Sequence, residues 1–132
     1  MVQDVKKLLV VLNKLKEIRG RTRFQKIIFL LMEKNVIDFA YDFIPYYYGP
    51  YSQDLQIEID LLEAADVVDV KPAGGILYVH GLTKKGKAAA KEIEQKMRKD
   101  EIEKLSKILN KYKRRSTNSL ISEAKNLAGM SS

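Results

Sequence analysis

Asp54 and Glu58 stand four residues apart, a spacing that puts two carboxylates on one face of a helix and could serve general acid–base chemistry. The neighbouring sequence supplies neither an activated nucleophile nor a shielded pocket for them. His80 is the sole histidine, so neither a His-rich zinc site nor a Ser-His-Asp triad can be assembled around it. Its place in an expected strand suits a structural residue better than a lone base. The absence of cysteine excludes disulfides, thiol chemistry and thiolate metal sites. Gly74-Gly75 reads as a hairpin tip and not as a phosphate loop, because no lysine follows at P-loop spacing. A non-enzymatic protein without metal or cofactor is expected.

What remains for function is charge and aromatic surface. Arg19, Arg21 and Arg23 surround the first helix junction, Lys84, Lys85 and Lys87 open a later helix, and Lys111, Lys113, Arg114 and Arg115 end the next one. Such clusters suit phosphate contacts, which position a protein on nucleic acid without reading its sequence. The last cluster also suits the negative end of a helix dipole. Seven of the eleven aromatic residues lie between Phe39 and Tyr51. Tyr46, Tyr48 and Tyr51 among them read either as core packing or as a patch for a protein partner.

Acidic residues concentrate just after that run. Asp54, Glu58, Asp60 and Glu63 share a helical segment, and no lysine or arginine occurs from Tyr51 to Val70. The expectation is a helix whose outward side is anionic, either simply solvated or docking a basic partner. Major-groove binding by it is disfavoured, because affinity for DNA comes largely from neutralised phosphates.

The net charge of +7 is distributed unevenly along the 132 residues. Residues 1–50 carry nine basic and five acidic side chains, residues 51–82 one and six, and residues 83–132 fourteen and six. The length suits one core, and the 45% hydrophobic and 31% charged fractions are those of a globular chain. The longest apolar run, Ile27 to Met32, is far short of a membrane span, and no secretory pattern opens the chain. A cytoplasmic protein without membrane contact is expected.

These residues must be positioned by elements that the periodicity marks out. Val5, Leu8, Leu9, Leu12, Leu15 and Ile18 recur at helical steps, which predicts a helix from about Gln3 to Ile18 that stops at Gly20. Thr22 and Gln25 have capping-box spacing for a second helix, whose stripe is Phe24, Ile27, Ile28, Leu31 and Met32 and whose left-handed stop is Asn35. Phe39 to Tyr48, with Pro45, predicts a short edge strand, followed by a turn at Gly49-Pro50. Ser52 should cap a third helix over about Gln53–Ala65, with Leu55, Ile59 and Leu62 inward.

Val67–Val70 and Ile76–Val79 flank a Gly-containing loop and predict a hairpin; Thr83 then caps the next helix. The apolar phase slips between Met97 and Ile102, so this helix either stops and restarts near Lys99, with Asp100 and Glu103 as capping box, or continues with a rotated stripe. Ile102, Leu105, Leu109 and Tyr112 form a seam that suits packing on the first helix or a dimer contact. Ser116 or Thr117 opens a last helix with Leu120, Ile121, Ala124 and Leu127 inward. The order predicts an α+β, mainly helical fold: a winged helix-turn-helix, with a three-helix core and a β-hairpin wing over residues 1–98. Additional C-terminal helices over 99–132 pack on it or mediate dimerisation.

Arg23-Phe24-Gln25-Lys26-Ile27-Ile28-Phe29-Leu30-Leu31 resembles the "LQKLLYL" helix of phage-associated winged-helix proteins. Tyr48-Gly49-Pro50-Tyr51-Ser52, with Leu55, resembles their "YGPYS..L" motif, and Leu82-Thr83-Lys84-Lys85-Gly86 their "LT..G" junction after the wing. Over about residues 5–97 the chain is similar to the YwgA-like group and the SocA-like, or Panacea-domain, antitoxins. The resemblance implies a winged helix without enzymatic activity, acting as a transcriptional regulator or as an antitoxin that holds a toxin or presents it to a protease.

Two functions follow as expectations. The first is a dimeric regulator that contacts DNA phosphates through Arg19, Arg21, Arg23, Lys84, Lys85, Lys87, Lys113, Arg114 and Arg115. The second is a protein-interaction module, an antitoxin or proteolytic adaptor, that docks a basic partner such as a toxin through Tyr46, Tyr48, Tyr51, Asp54 and Glu58.

Overall fold

A computed structural model describes residues 2–130 of the chain. The first helix, α1 (Val2–Leu15), is buried on most sides: Leu8, Leu9, Val10, Val11 and Leu12 are all at most 5% exposed. It ends three residues earlier than its apolar spacing predicts. Lys16 turns the chain with φ 68°, and Ile18 lies in a short strand, β1 (Glu17–Arg19). Ile18 is buried all the same, because a strand with one inward residue uses it as well as a helix face would.

α2 (Arg21–Glu33) buries everything from Phe24 to Leu31. Its expected capping box does not form: Gly20 is the N-cap, without a side-chain bond, and Gln25 is engaged elsewhere. Asn35, at φ 56°, is the left-handed stop that the sequence predicts. The aromatic run gives no single edge strand. It forms a hairpin, β2 (Ile44–Tyr46) and β3 (Gly49–Tyr51), in which Pro45 faces Pro50 and the chain reverses at Tyr47-Tyr48, two residues before the expected Gly-Pro turn. Two prolines, which have no N–H, can face each other only at a pair that exchanges no ladder hydrogen bond, the position next to the turn-closing Tyr46–Gly49 pair.

Ser52 caps α3 (Gln53–Ala64), its hydroxyl accepting from the Leu55 N–H at 3.2 Å. Leu55 and Ile59 are buried, and Leu62 is half-buried. β4 (Val68–Pro72) and β5 (Tyr78–Leu82) pair from Val68↔Leu82 to Pro72↔Tyr78, which leaves Ile76 and Leu77 in the loop. β1 adds on the far side of β5, with Ile18 opposite His80, so the sheet order is β1-β5-β4. His80 is 1% exposed and meets Phe24 edge-on; burial lowers its pKa, as suits a neutral core imidazole.

α4 (Lys84–Gln95) and α5 (Lys99–Lys113) are separate helices, so the chain does stop and restart near Lys99. The restart is capped by Glu101, which accepts from the Arg98 N–H at 3.4 Å, and not by the Asp100–Glu103 pair. α4 and α5 both pack on α1, where Leu105, Leu109 and Tyr112 of the seam are buried. α6 (Thr117–Leu127), capped by Ser116, packs on α2 through Leu120 and Ala124. Leu127 is 45% exposed and not inward as expected, because the last turn of α6 extends past these contacts. The fold is mainly helical α+β, with six helices and two small antiparallel sheets among the described residues. No helix among them is long and apolar enough to cross a membrane.

Candidate functional site

Two neighbouring polar residues of α2 hold the β2–β3 hairpin. Gln25, 3% exposed, donates through Nε2 to the Ser52 carbonyl at 2.9 Å and accepts the Ser52 N–H on Oε1 at 2.8 Å. Lys26, 2% exposed, donates through Nζ to the Pro50 carbonyl at 2.9 Å. Burial, and then the charge of Lys125, pull the Lys26 ammonium down to about 8. Gly49 sits at φ 100°, and a Cβ there would stand 3.2 Å from the Lys26 Cε, so both its backbone and its neighbour favour glycine. The helix and Gly-Pro-Tyr-Ser motifs thus form one contact.

The third motif is also structural. The Thr83 hydroxyl accepts from the Gly86 N–H at 3.0 Å and donates to the Asp66 carbonyl at 2.7 Å. A Cβ on Gly86 would come within 2.2 Å of the Val67 carbonyl oxygen, so only glycine fits without a backbone shift. Lys84, Lys85 and Lys87 are exposed at this junction, and Lys85 donates to the Ala65 carbonyl at 3.2 Å. They follow the Leu82 end of β5, whereas Arg19 pairs across from Val79 toward its other end.

The hairpin displays its aromatic residues. Tyr46, Tyr47 and Tyr48 are 57%, 81% and 63% exposed, Ile44 is exposed beside them, and Tyr51 is half-buried against Tyr46 with ring centroids 5.3 Å apart. Phe39 and Tyr41 are buried instead. On α3, which follows the hairpin directly, Asp54, Ile57, Asp60 and Leu61 are exposed. Gln56 links the two regions, since it donates to Asp60 at 3.0 Å and lines, with Tyr46, Tyr48 and Tyr51, a slot of about 160 Å³ whose α2 wall carries Arg21 and Lys26.

Glu58 does not share that exposure. It is 7% exposed and accepts the Tyr41 hydroxyl proton, so the expected outward row of carboxylates loses one member. Burial raises its pKa and the nearby Asp4 adds to this, while the Tyr41 bond opposes both. Burial also raises the Tyr41 phenol, and the bond to Glu58 pushes it further. Residues four apart on a helix differ by ~40° in direction, enough here to separate exposed Asp54 from buried Glu58 beside Ile59.

Two of the basic clusters meet. Arg19 and Arg23, from the β1–α2 junction, line a cavity of about 470 Å³ together with Lys113 and Arg115 from the α5–α6 junction. Arg23 donates to the Tyr112 carbonyl at 2.7 Å and to the Thr117 hydroxyl at 3.4 Å. Arg115 donates to the Ser119 carbonyl at 3.0 Å and pairs with Glu123, which also pairs with Lys34. Burial opposes ionisation of Glu123, but its bonds and attraction to Arg115 and Lys34 outweigh this and hold its carboxyl below the usual range. Arg21 lies over the Tyr78 ring at 4.7 Å, and Arg114 is exposed. Sequence reasoning missed Gln25, Lys26 and Glu123, and the exposed apolar residues Ile44, Ile57 and Leu61; for the first two the available signal was a Gln-Lys pair inside the apolar stripe of α2.

Among the described residues, no group of three or more histidine, aspartate and glutamate side chains is placed to hold a metal ion. No protein-family model, curated protein or solved structure matches the chain.

Proposed function

We propose that this chain is a non-enzymatic winged-helix module that binds a basic protein segment through its tyrosine hairpin and the outer face of α3. The β4–β5 hairpin that follows α1, α2 and α3, joined on its β5 side by β1 from between α1 and α2, supports the winged-helix reading with β4–β5 as the wing. The observation that carries the function is the exposed apolar surface. Ile44, Tyr46, Tyr47 and Tyr48 stand on the hairpin, and Ile57 and Leu61 lie one turn apart on the adjoining helix. Scattered apolar residues are ordinary on a surface, whereas a gathered, polar-rimmed patch marks an interaction site. Asp54 and Asp60 flank Ile57 and Leu61, so charge complementarity selects a cationic amphipathic partner. A toxin held by an antitoxin, or a substrate held by an adaptor, is the kind of partner that the resemblance in the motifs offers for this surface, beside the regulator role it equally implies.

The test is fluorescence anisotropy with a labelled leucine-lysine amphipathic peptide and its leucine-glutamate counterpart. The lysine peptide should bind, and the double variant Tyr48→Ala/Leu61→Ala should weaken it at least tenfold. Both side chains are exposed, so unfolding stability should change by no more than ~0.5 kcal/mol. Equal binding of both peptides, or a variant that binds as well as the original, removes the reading.

The meeting of Arg19, Arg23 and Lys113 favours a second function, contact with DNA phosphates by a dimer from the wing side. A gel shift on random duplex DNA should then weaken steeply with salt; no shift at low salt discards it.

A further inference from the structure

Arg23 is a cation in want of an anion. Its guanidinium is drawn partly into the protein, and both of its hydrogen bonds go to neutral acceptors, the Tyr112 carbonyl and the Thr117 hydroxyl. Among the described residues no carboxylate pairs with Arg23 or with Lys113. Arg19 has only Glu17 at 3.9 Å, with both side chains more than half exposed, a contact of little strength. A guanidinium cannot shed its charge, so partial burial without a counter-ion leaves a desolvation cost that a bound anion would relieve.

The space in front of these cations has the shape and lining to admit one. The cavity, about 470 Å³, falls in the ~300–1,000 Å³ range of small-molecule sites. Its floor is apolar, formed by Leu15, Ile18, Ile27 and Leu77; its rim carries Arg19, Arg23, Lys113 and Arg115 from two separate junctions, against one carboxylate, Glu17, and the hydroxyls of Ser116 and Thr117. Arg115 is already neutralised by Glu123 and Arg19 stands beside Glu17, which leaves Arg23 and Lys113 without a carboxylate and Arg19 as a weakly held third cation for a ligand. A duplex phosphate rail would use the rim and leave the floor idle. An amphipathic small molecule would use both.

We propose that this cleft binds a small organic anion, a carboxylate or phosphate monoester on an apolar body, with the anion against Arg23, Arg19 and Lys113 and the body over Ile18 and Leu77. The site is separate from the tyrosine–α3 surface and does not depend on it. Leu77 belongs to the loop of the β4–β5 hairpin, so an occupied cleft ties that loop to the α5–α6 junction.

Isothermal titration of the full chain with 2-naphthoate, 2-naphthyl phosphate and neutral 2-naphthamide tests this. Both anions should bind with Kd of about 1 mM or tighter, and the amide at least tenfold more weakly. The stronger anion identifies the headgroup. Arg19→Ala/Lys113→Ala alters two exposed side chains and should keep the circular dichroism spectrum while lowering anion affinity at least tenfold. Leu77→Glu, in the half-buried loop, should abolish binding by placing a carboxylate in the site. Binding of the amide as tight as that of the anions, no heat from either anion, or unchanged affinity in both variants overturns the proposal. So does displacement of naphthoate by a short duplex DNA at low salt, which would make the cleft a phosphate-backbone contact.

Discussion

Lys26 and Arg23 lie three residues apart on α2, and each caps a backbone carbonyl of another element, yet the two regions they serve differ. Lys26 reaches Pro50 in the hairpin and is 2% exposed; Arg23 reaches Tyr112 at the end of α5 and stays at the wall of a cavity. An ammonium can lose its proton, and the lowered pKa of Lys26 shows the interior acting on it in that direction. A guanidinium cannot, so the same helix needs solvent or an anion on the Arg23 side. One cation is absorbed into the fold and the other is left able to bind. The lesson is that the count of basic residues says little about nucleic-acid binding until each cation's partner is known.

The largest expected effect tests whether the hairpin is held by α2 or by its own tyrosines. Gln25→Ala would leave the N–H of buried Ser52 without a partner, while the Ser52 carbonyl keeps the Gln56 N–H at 3.3 Å. An unsatisfied buried group costs about 1–3 kcal/mol, so denaturant unfolding should lose about that much. A loss under ~0.5 kcal/mol, the size of an ordinary surface change, would mean that the clamp is incidental and that Lys26 is not fixed by it.

What the sequence made legible here was mostly local. Ser52, Thr83 and Ser116 are caps that need only the next three residues, and each forms as expected. Apolar spacing extends the first helix to Ile18 because the strand that pairs with it lies at His80, and that spacing carries no information across such a distance. Glu58 was placed outward because a four-residue step does not say which side of the ~40° offset is buried. The cleft was invisible for a stronger reason: Arg19 and Lys113 meet only through packing between distant elements. Gln25 and Lys26 could have been suspected, since two polar residues inside a buried stripe require partners.

The next effect sharpens the contrast between the two cations. The Lys26 ammonium titrates at about 8 in the folded protein against an ordinary value of 10.5. Between those values the unfolded chain binds more protons than the native one, so this group makes stability rise with pH. Its contribution is fully present above the unfolded value and is lost as pH falls through about 8. Lys26→Met removes the titration. The stability difference between wild type and variant, followed by urea unfolding from pH 8 to 9.5, should therefore move in favour of wild type as pH rises. A flat difference would show that Lys26 keeps its charge as freely as Arg23 does.

The smallest effect sets the two regions against each other through their carboxylates. Glu58, on the buried side of α3 against Tyr41, has its pKa raised chiefly by burial, so its contribution is present below the ordinary carboxyl range and is lost as pH rises through the folded value. Glu123, beside the cleft, is held low because Arg115 and Lys34 outweigh its burial. Its contribution is present above the ordinary range and is lost as pH falls through the folded value. Glu58→Gln should gain on wild type as pH rises from acid toward neutrality. Glu123→Gln should fall behind over the same range, by about 1 kcal/mol or less for a half-exposed pair. Thermal melts across that range should show opposite slopes for the two variants. Parallel slopes would mean that the Tyr41–Glu58 bond stabilises the charged form as strongly as the Arg115–Lys34 pair does, and the hairpin side would then be no less ionic than the cleft.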